Sequence, residues 1–302
     1  MSCYREAPEA LEAAARSVLD QQVDETVELV LVNDDPTNEE LVSWQRSFAE
    51  REPRLVALFN EENRGLTASL NRALGTASGH YIARMDADDL ALPGRLQHQK
   101  DYLEDNGLDL VGGKVRVTDE EGGLLYEVSD LPATPEAVKK ALRWNNCVPH
   151  PTWFGRREVF ADGYREVPLC EDYDFLLRAS LAGRRLGNLQ EAVGEYRIST
   201  GGISQSNLYR QYLYQVYLSD QYRHGKVVDP AVATAFVEGR YDEKAAGRYS
   251  QGNDRVNGGL EKLRSGDPWG AVVGVLGGAF TTPSNFDKVM RLGMAALHGR
   301  SR

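Results

Sequence analysis

The sequence predicts an α/β fold in which a mostly parallel sheet is flanked by helices, followed by an all-helical C-terminal extension. Two observations lead to this class. Short apolar runs typical of strands alternate with helical patterns through the first 105 residues, and such repeats build parallel sheets with right-handed crossovers. After about residue 206 the apolar residues recur only at helical spacing. We therefore expect a domain at 1–206, with halves at 1–105 and 106–206, and a helical extension at 207–302.

The N-terminal half alternates between the two kinds of element. Leu11, Ala14 and Val18 recur at helical spacing, whereas residues 27–32 form an almost continuous apolar run of the kind found in buried parallel strands. Since the carboxyl ends of parallel strands meet at one edge of a sheet, we expect the polar residues after positions 32 and 85 to lie together. The predicted order is helix 8–20, strand 27–32, helix 39–50, strand 54–59, helix 63–77 and strand 81–85.

The last of these strands ends in three carboxylates within four residues, Asp86, Asp88 and Asp89. Like charges this close repel one another unless a cation neutralises them. Oxygen ligands of this kind suit Mg²⁺ or Mn²⁺, which commonly bridges a protein carboxylate and a substrate diphosphate. The triplet is consistent either with such a metal site or with a solvated acidic loop. Arg84 lies within the strand, where we expect a buried salt bridge to one of the acids.

The composition restricts the partners and the compartment. The chain has 302 residues and a formal charge of −10, which argues against nucleic acid as a partner. Its longest apolar stretch, residues 269–280, is too short for a transmembrane helix, which needs about 20 residues. The start of the chain is polar and acidic, unlike a signal peptide. The three cysteines are widely spaced, so we expect a reduced, cytoplasmic protein.

The second half of the chain contains fewer strands and more helices. We predict a strand at 108–117 with a hairpin turn at 119–123, a helix at 135–144, an irregular stretch at 147–154 and a helix at 171–181. Glu171 and Asp172 would then lie at the exposed start of that last helix. Five tyrosines between positions 209 and 222 are predicted to pack rather than to bind a ligand. Residues 256–263 and 269–280 predict an antiparallel helical hairpin that could contact the domain, a partner or a membrane surface.

Taken in order, these motifs resemble those of the family 2 glycosyltransferases, which have the GT-A fold. No single motif is specific, but six of them occur in the family's order across residues 1–206. The similar segments are Asn33-Asp34-Asp35-Pro36, Asn63-Arg64-Gly65-Leu66 through Asn71, Asp86-Ala87-Asp88-Asp89 with the helix after it, His150-Pro151-Thr152, Glu171-Asp172-Tyr173-Asp174, and Tyr196-Arg197 with the glycines that follow.

The resemblance implies an inverting, metal-assisted, hexosyltransferase-like enzyme. It would move a sugar from a nucleotide-diphosphate sugar to a hydroxyl of a glycan or lipid-linked acceptor, as in polysaccharide, glycolipid or glycoprotein glycan synthesis. It implies Asp172 as general base, Asp88 and Asp86 as ligands of Mn²⁺ or Mg²⁺, and Glu171 and His150 on the acceptor side. The implied nucleotide-sugar contacts are Asp34, Asp35, Asn63, Asn71, Asp86 and Arg197.

Two departures from the family pattern keep alternatives open. The first strand is cut to its last few residues, and Ser199 stands where the family often has a histidine that helps to hold the metal or the diphosphate. A sugar-1-phosphate nucleotidyltransferase would need a glycine-rich loop after the first strand, and residues 3–6 contain no glycine. An inactive relative that serves as a binding or assembly module is the third candidate. Asp34 and Asp172 could also act only as helix caps.

Overall fold

The computed structural model describes residues 1–119, 122–128, 131–197 and 207–299, and it confirms the α/β class. In the first third of the chain, strands and helices alternate as the sequence predicts, with boundaries that differ by a few residues. The elements are β1 (Ser2–Cys3), α1 (Pro8–Leu19), β2 (Leu29–Asn33), α2 (Glu39–Arg51), β3 (Leu55–Phe59), α3 (Gly65–Thr76), β4 (Tyr81–Ala83), β5 (Leu90–Ala91) and α4 (Arg95–Asp105).

The rest of the chain completes the sheet and then becomes helical. The predicted hairpin, the helix at 171–181 and the C-terminal helical hairpin are all present, whereas the glycines that follow Tyr196-Arg197 lie outside the described residues. The elements are β6 (Leu110–Thr118), β7 (Leu124–Glu127), α5 (Pro135–Ala141), β8 (Phe154–Arg156), α6 (Glu171–Leu181), β9 (Leu186–Arg197), α7 (Leu208–Arg223), α8 (Pro230–Glu238), α9 (Glu243–Arg264), α10 (Pro268–Ala279) and α11 (Pro283–Gly299).

The described strands form two sheets rather than the single sheet that we expected. One sheet has the parallel order β1-β2-β3, and the other has the order β4-β8-β6-β9-β5, with β7 on β6. In the second sheet only β6 and β9 pair in parallel among the described strands. β1 consists of Ser2 and Cys3, which pair with Val32 and Asn33, and no described strand lies between β2 and β4.

An apolar cavity of about 190 Å³ lies at this gap, between β2 and β4. Val30 and Ile82 line its two sides and Leu70 its floor, while Met1 lies at one end. The N-terminal amine of Met1 donates to the carbonyl oxygen of Val30 at 3.0 Å. Burial, and then the positive charge of Arg84, lower the pKa of this amine to about 6. The charged form of this buried amine is therefore disfavoured.

The helices after residue 206 begin inside the core of the α/β part. Three tyrosines of α7 are buried in the same apolar cluster as α6, namely Tyr212, Tyr214 and Tyr222. The hydroxyl groups of Tyr222 and Ser180 lie 2.7 Å apart. The prediction that the tyrosines pack rather than bind a ligand is thus confirmed for these three. The division of the chain near residue 206 stays a prediction, because α7 shares the core of the preceding domain.

We predict that five apolar, β-branched residues fused ahead of Met1 will raise the melting temperature. Continuing the register of β1 would place them beside residues 26–30, where they would cover apolar surface and replace the buried amine by a peptide bond. Burial of two or three such side chains should raise Tm by about 5 °C. Differential scanning calorimetry measures the change, with five Gly and Ser residues as the matched control. Equal melting of both fusions would show that the cavity does not accept a strand.

Candidate active site

A buried ion pair occupies the centre of the site, where the chain leaves β4. Arg84 is 6% exposed, and its Nη1 and Nη2 donate to the two carboxylate oxygens of Asp86 at 2.7 and 2.5 Å. The predicted buried salt bridge of Arg84 is therefore confirmed. Its Nε has no hydrogen-bond partner within the described part of the chain. Since both oxygens of Asp86 already face Arg84, Asp86 is a less available metal ligand than the sequence motif alone suggests.

The backbone of Arg84 is fixed from two directions. Its amide donates to the carbonyl of Trp153 at 2.8 Å, and its carbonyl accepts from Arg95 Nη2 at 2.7 Å. The same Nη2 of Arg95 donates to the carbonyl of Pro151 at 2.9 Å. Burial lowers the pKa of Arg95 to about 10. These bonds join the end of β4, the start of α4 and residues 151–153 into one rigid frame.

The two remaining acids of the triplet differ in exposure. Asp88 is exposed, whereas Asp89 is 3% exposed and accepts from the amide of Arg197 at 3.4 Å. Burial and then the charges of Asp86 and Asp88 raise the pKa of Asp89 to about 8. Lost hydration and the charge of Asp86 also raise the pKa of Asp88, against the charges of Arg84 and Arg197. The repulsion expected from the sequence is present, so a cation would be favoured here.

The carboxylates after β4 fit a cation site that has few protein ligands. In the described ranges no three His, Cys, Asp or Glu side chains converge as a complete metal cluster. Mg²⁺ is commonly held by one or two carboxylates and completes its shell with water and substrate phosphates. Asp88, with Asp86 beside it, meets this requirement. Ser199, which bears on a further ligand, lies outside the described residues.

At the end of β2, Asp34 anchors the start of α3. Its Oδ1 accepts from Asn60 Nδ2 at 2.6 Å and from the amide of Arg64 at 2.9 Å, and its Oδ2 accepts from the amide of Gly65 at 2.8 Å. The exposed Asn63 accepts from the same Gly65 amide at 3.1 Å. Asp34 therefore has the helix-capping contacts that the sequence left open. Its role in binding the nucleotide stays a prediction.

Asn33 and Asp35, on either side of Asp34, are also buried. Asp35 accepts from Thr37 Oγ1 at 2.8 Å, and Asn33 Oδ1 accepts from the Asp35 amide at 2.8 Å. Asn33 is 1% exposed, and its Nδ2 lacks a hydrogen-bond partner among the described residues. A buried donor without a partner is costly, so such a group often serves a ligand. Sequence reasoning did not single out Asn33, although a polar residue after four apolar ones in the strand was a signal.

Asn71 holds the loop at Tyr164 through both ends of its amide group. Its Nδ2 donates to the carbonyl of Tyr164 at 2.8 Å, and its Oδ1 accepts from the Tyr164 amide at 2.7 Å. Gly163, with φ of +57°, lets the loop approach so closely that a Cβ there would lie 2.6 Å from Asn71 Oδ1. Asn71 therefore has a structural role, and its contact with the nucleotide sugar stays a prediction.

Two acids, Glu171 and Asp172, begin α6. Asp172 Oδ2 accepts from Asn146 Nδ2 at 2.7 Å, and its Oδ1 accepts from the Tyr173 amide at 2.6 Å. Burial and then the charge of Asp172 raise the pKa of Glu171 to about 7. Burial also raises the pKa of Asp172, while the Tyr173 amide and the charge of Arg84 oppose the rise. The charge of Asp86 acts on Glu171 too, so both groups of acids lie within electrostatic reach of one cation.

His150 and Tyr164 form an aromatic wall beside these acids. The imidazole Nε2 of His150 lies 2.8 Å from the hydroxyl of Tyr164, and its ring packs edge-on against Trp153. Burial and the charge of Arg84 lower the pKa of His150 well below its usual value, so the imidazole is neutral near pH 7. These contacts support the fold. The acceptor-side role of His150 stays a prediction.

Asp174, two positions beyond Asp172 in α6, is an ion-pair partner rather than a reactive group. It is 2% exposed, and Arg165 and Arg178 both donate to its carboxylate, Arg178 Nε at 2.9 Å.

We predict that Asp174→Ala lowers the free energy of unfolding by about 2 to 3 kcal/mol, because two guanidinium groups lose their partner. Urea denaturation measures this loss. Asp162→Ala, at an exposed acid, is the control, and an equal effect of both changes would contradict the structural role of Asp174.

The similarity of this sequence to known proteins indicates its family. The family described as "Glycosyl transferase family 2" matches residues 1–163. An uncharacterized glycosyltransferase of Methanocaldococcus jannaschii is 29% identical over 220 residues, covering 72% of this chain and 76% of the relative. The O-antigen biosynthesis glycosyltransferase WbnJ of Escherichia coli is 31% identical over 196 residues, covering 64% of this chain and 76% of the relative.

A solved structure supports the fold. It is the mannosyltransferase PcManGT from Pyrobaculum calidifontis in complex with GDP-Man and Mn²⁺. The superposition has a TM-score of 0.57 and covers 99% of this chain and 85% of the other, at 19% sequence identity. At this identity the similarity concerns the fold alone, and it confirms the GT-A architecture that the sequence motifs imply.

Proposed function

Since the chain belongs to glycosyl transferase family 2, and is therefore a nucleotide-sugar-dependent glycosyltransferase, we propose that it transfers the sugar with inversion and with the help of a divalent cation. One observation carries this proposal. The buried Arg84 pairs with Asp86 of the acidic triplet, and its charge also acts on Glu171 and Asp172 at the start of α6. In our proposal, this one guanidinium acts both on the acids that would hold the departing diphosphate's cation and on the acid that would be the base for an incoming hydroxyl.

On the donor side, Asp88 is the principal ligand in our proposal and Asp86 assists. A divalent cation held there would neutralise the charge that the leaving diphosphate gains. Mn²⁺ and Mg²⁺ both suit these oxygen ligands, and the related PcManGT was solved with Mn²⁺. Asp34, Asp35 and Asn63 lie around the ends of β2 and β3, where we propose the nucleotide, and Arg197 would face the diphosphate. The unpaired Nδ2 of Asn33 would donate to an acceptor on that nucleotide.

We predict that Asp88→Ala abolishes sugar transfer and the response to metal without unfolding the protein. Removal of one acid relieves repulsion in the triplet, so the metal-free variant should melt at the same temperature as the parent or slightly higher. Mn²⁺ should raise the Tm of the parent but not of the variant. The measurements are nucleoside diphosphate release and thermal melting, each with and without EDTA. Asp105→Ala, at an exposed acid near the end of α4, is the control, and full activity in EDTA would overturn the metal assignment.

On the acceptor side, we propose Asp172 as the general base, with Glu171 orienting the acceptor. A single displacement at the anomeric carbon inverts the configuration and needs one base on the face opposite the diphosphate. The hydrogen bond from Asn146 holds the Asp172 carboxylate in place, and the raised pKa of the pair brings proton uptake nearer to neutral pH. His150 is neutral and buried, so it would support this side of the site through Tyr164 rather than exchange protons.

We predict that Asp172→Asn lowers kcat by about two to four orders of magnitude, because the amide cannot take up the proton. Binding of the donor should change little, since the proposed nucleotide contacts lie on other elements. In the parent, turnover should fall as the pH decreases below about 7, where Glu171 gains a proton, and the raised pKa of Asp172 adds to this fall. Donor titration, turnover and a pH profile test this, with Glu171→Gln as the matched variant. Near-normal turnover of Asp172→Asn would move the base to Glu171.

The similar proteins suggest the class of acceptor and the location of the enzyme. WbnJ is named for O-antigen biosynthesis, and we infer by similarity that this chain also extends a glycan or a lipid-linked glycan. None of the helices in the described ranges is long and apolar enough to cross a membrane. We propose that residues 1–206 form the catalytic domain, on which the first helices of 207–302 pack, and that the last helices contact a membrane surface.

A further inference from the structure

The helix α10 is packed with its small residues inward and its large residues outward. On its inner face, Gly274 and Gly278 lie against α9 so closely that a Cβ on Gly274 would come within 2.7 Å of Gly259 Cα, and one on Gly278 within 2.5 Å of Gly252 O. On its outer face, Trp269 is 80% exposed, Val273 70% and Phe280 71%. The large apolar side chains of α10 are therefore exposed at positions where a helix in water usually has polar side chains.

This arrangement is the reverse of an ordinary amphipathic helix. A surface helix in water turns its apolar stripe to the core and its polar residues outward. Helices surrounded by lipid pack through small residues, because lipid tails solvate large apolar side chains as well as a protein core does. Since α10 has no charged residue and its glycines already bury its inner face, its outer face fits lipid better than water.

The apolar surface continues onto α11. Phe286, Met290 and Leu297 recur at helical spacing and are 44%, 49% and 63% exposed. The rings of Phe280 and Phe286 lie 5.5 Å apart and join the two helices. We call this surface the apolar face. It comprises Trp269, Val272, Val273, Leu276, Phe280, Phe286, Met290 and Leu297.

The distribution of charge along the chain indicates what covers the apolar face. Residues 243–302 carry nine Lys or Arg and five Asp or Glu, a formal charge of +4, whereas the rest of the chain carries −14. A basic segment on an acidic protein is attracted to an anionic surface and turns the acidic body away from it. Two copies of this chain would instead bring like-charged segments together. The charge division therefore favours an anionic bilayer over a second copy.

We propose that the apolar face docks onto an anionic phospholipid bilayer, with α10 and α11 lying in the plane of the interface. With 12 residues, α10 is about 18 Å long, well short of the roughly 30 Å of a hydrocarbon core, so it lies on the bilayer instead of spanning it. Docking deepens the proposed function, since it would hold the enzyme at the surface where lipid-linked acceptors lie. The docking itself requires no donor, no metal and no acceptor.

Sedimentation of the full chain with lipid vesicles tests the proposal. Vesicles of phosphatidylcholine alone are compared with vesicles containing one quarter phosphatidylglycerol. We expect binding to the anionic vesicles, weakened about tenfold or more by Val273→Ser with Phe280→Ser, because two large apolar groups no longer enter the interface. The control is Val227→Ser with Val232→Ser, at exposed valines outside the apolar face, which should bind as the parent does. Melting temperatures show that each variant is folded.

A spectroscopic measurement identifies the helix that enters the lipid. Trp269 emission should shift to the blue on binding, and brominated lipids should quench it, whereas Trp269→Phe should remove both signals. Absence of vesicle binding by the parent, or equal binding by both double variants, would overturn the proposal. So would light scattering that shows a dimer of the parent, dissociated by Val273→Ser with Phe280→Ser, if no vesicles are bound. Nucleoside diphosphate release, measured without vesicles, tests the proposed function independently.

Discussion

The buried pair of Arg84 and Asp86 is the interaction on which the rest of the site depends. Without a counter-charge, the carboxylates after β4 and at the start of α6 would repel one another in a partly dehydrated cleft. Arg84 supplies that charge from a position fixed by the carbonyl of Trp153 and by Arg95. Its influence reaches Asp88, Asp89, Glu171 and Asp172, whose pKa values it lowers against burial.

The scaffold around this pair uses polar residues mainly to hold loops. Asp34 fixes the start of α3, Asn71 holds the backbone of Tyr164, and Asp174 gathers Arg165 and Arg178. Each of these side chains lies in a motif that also suggested ligand contacts. Because these three side chains are hydrogen-bonded within the protein, they build the site. Other polar groups remain available to a substrate, among them Asp88, Glu171 and the Nδ2 of Asn33.

The C-terminal helices follow two different packing rules. The tyrosines of α7 are buried against α6, which is the packing of a water-soluble core. The contact between α9 and α10 is made through glycines, which leaves Trp269 and Phe280 outside. A single helical extension therefore contains a part that completes the catalytic domain and a part whose surface fits a bilayer. In our proposal, the two parts connect sugar transfer with the place where the acceptor lies.

The sequence by itself determined the α/β class, the order of most elements and the family, because strand and helix periodicity and motif order are local properties of the chain. It also predicted the crowded acids and the salt bridge of Arg84, because these charges lie within five residues of one another in the chain. Only the tertiary structure decided that β1 leaves two sheets, that Asn71 and Asp174 are occupied, and that Asn33 lacks a partner. The inward glycines of α10 were likewise invisible, because apolar residues occur all around that helix and only its contact with α9 decides which face is buried.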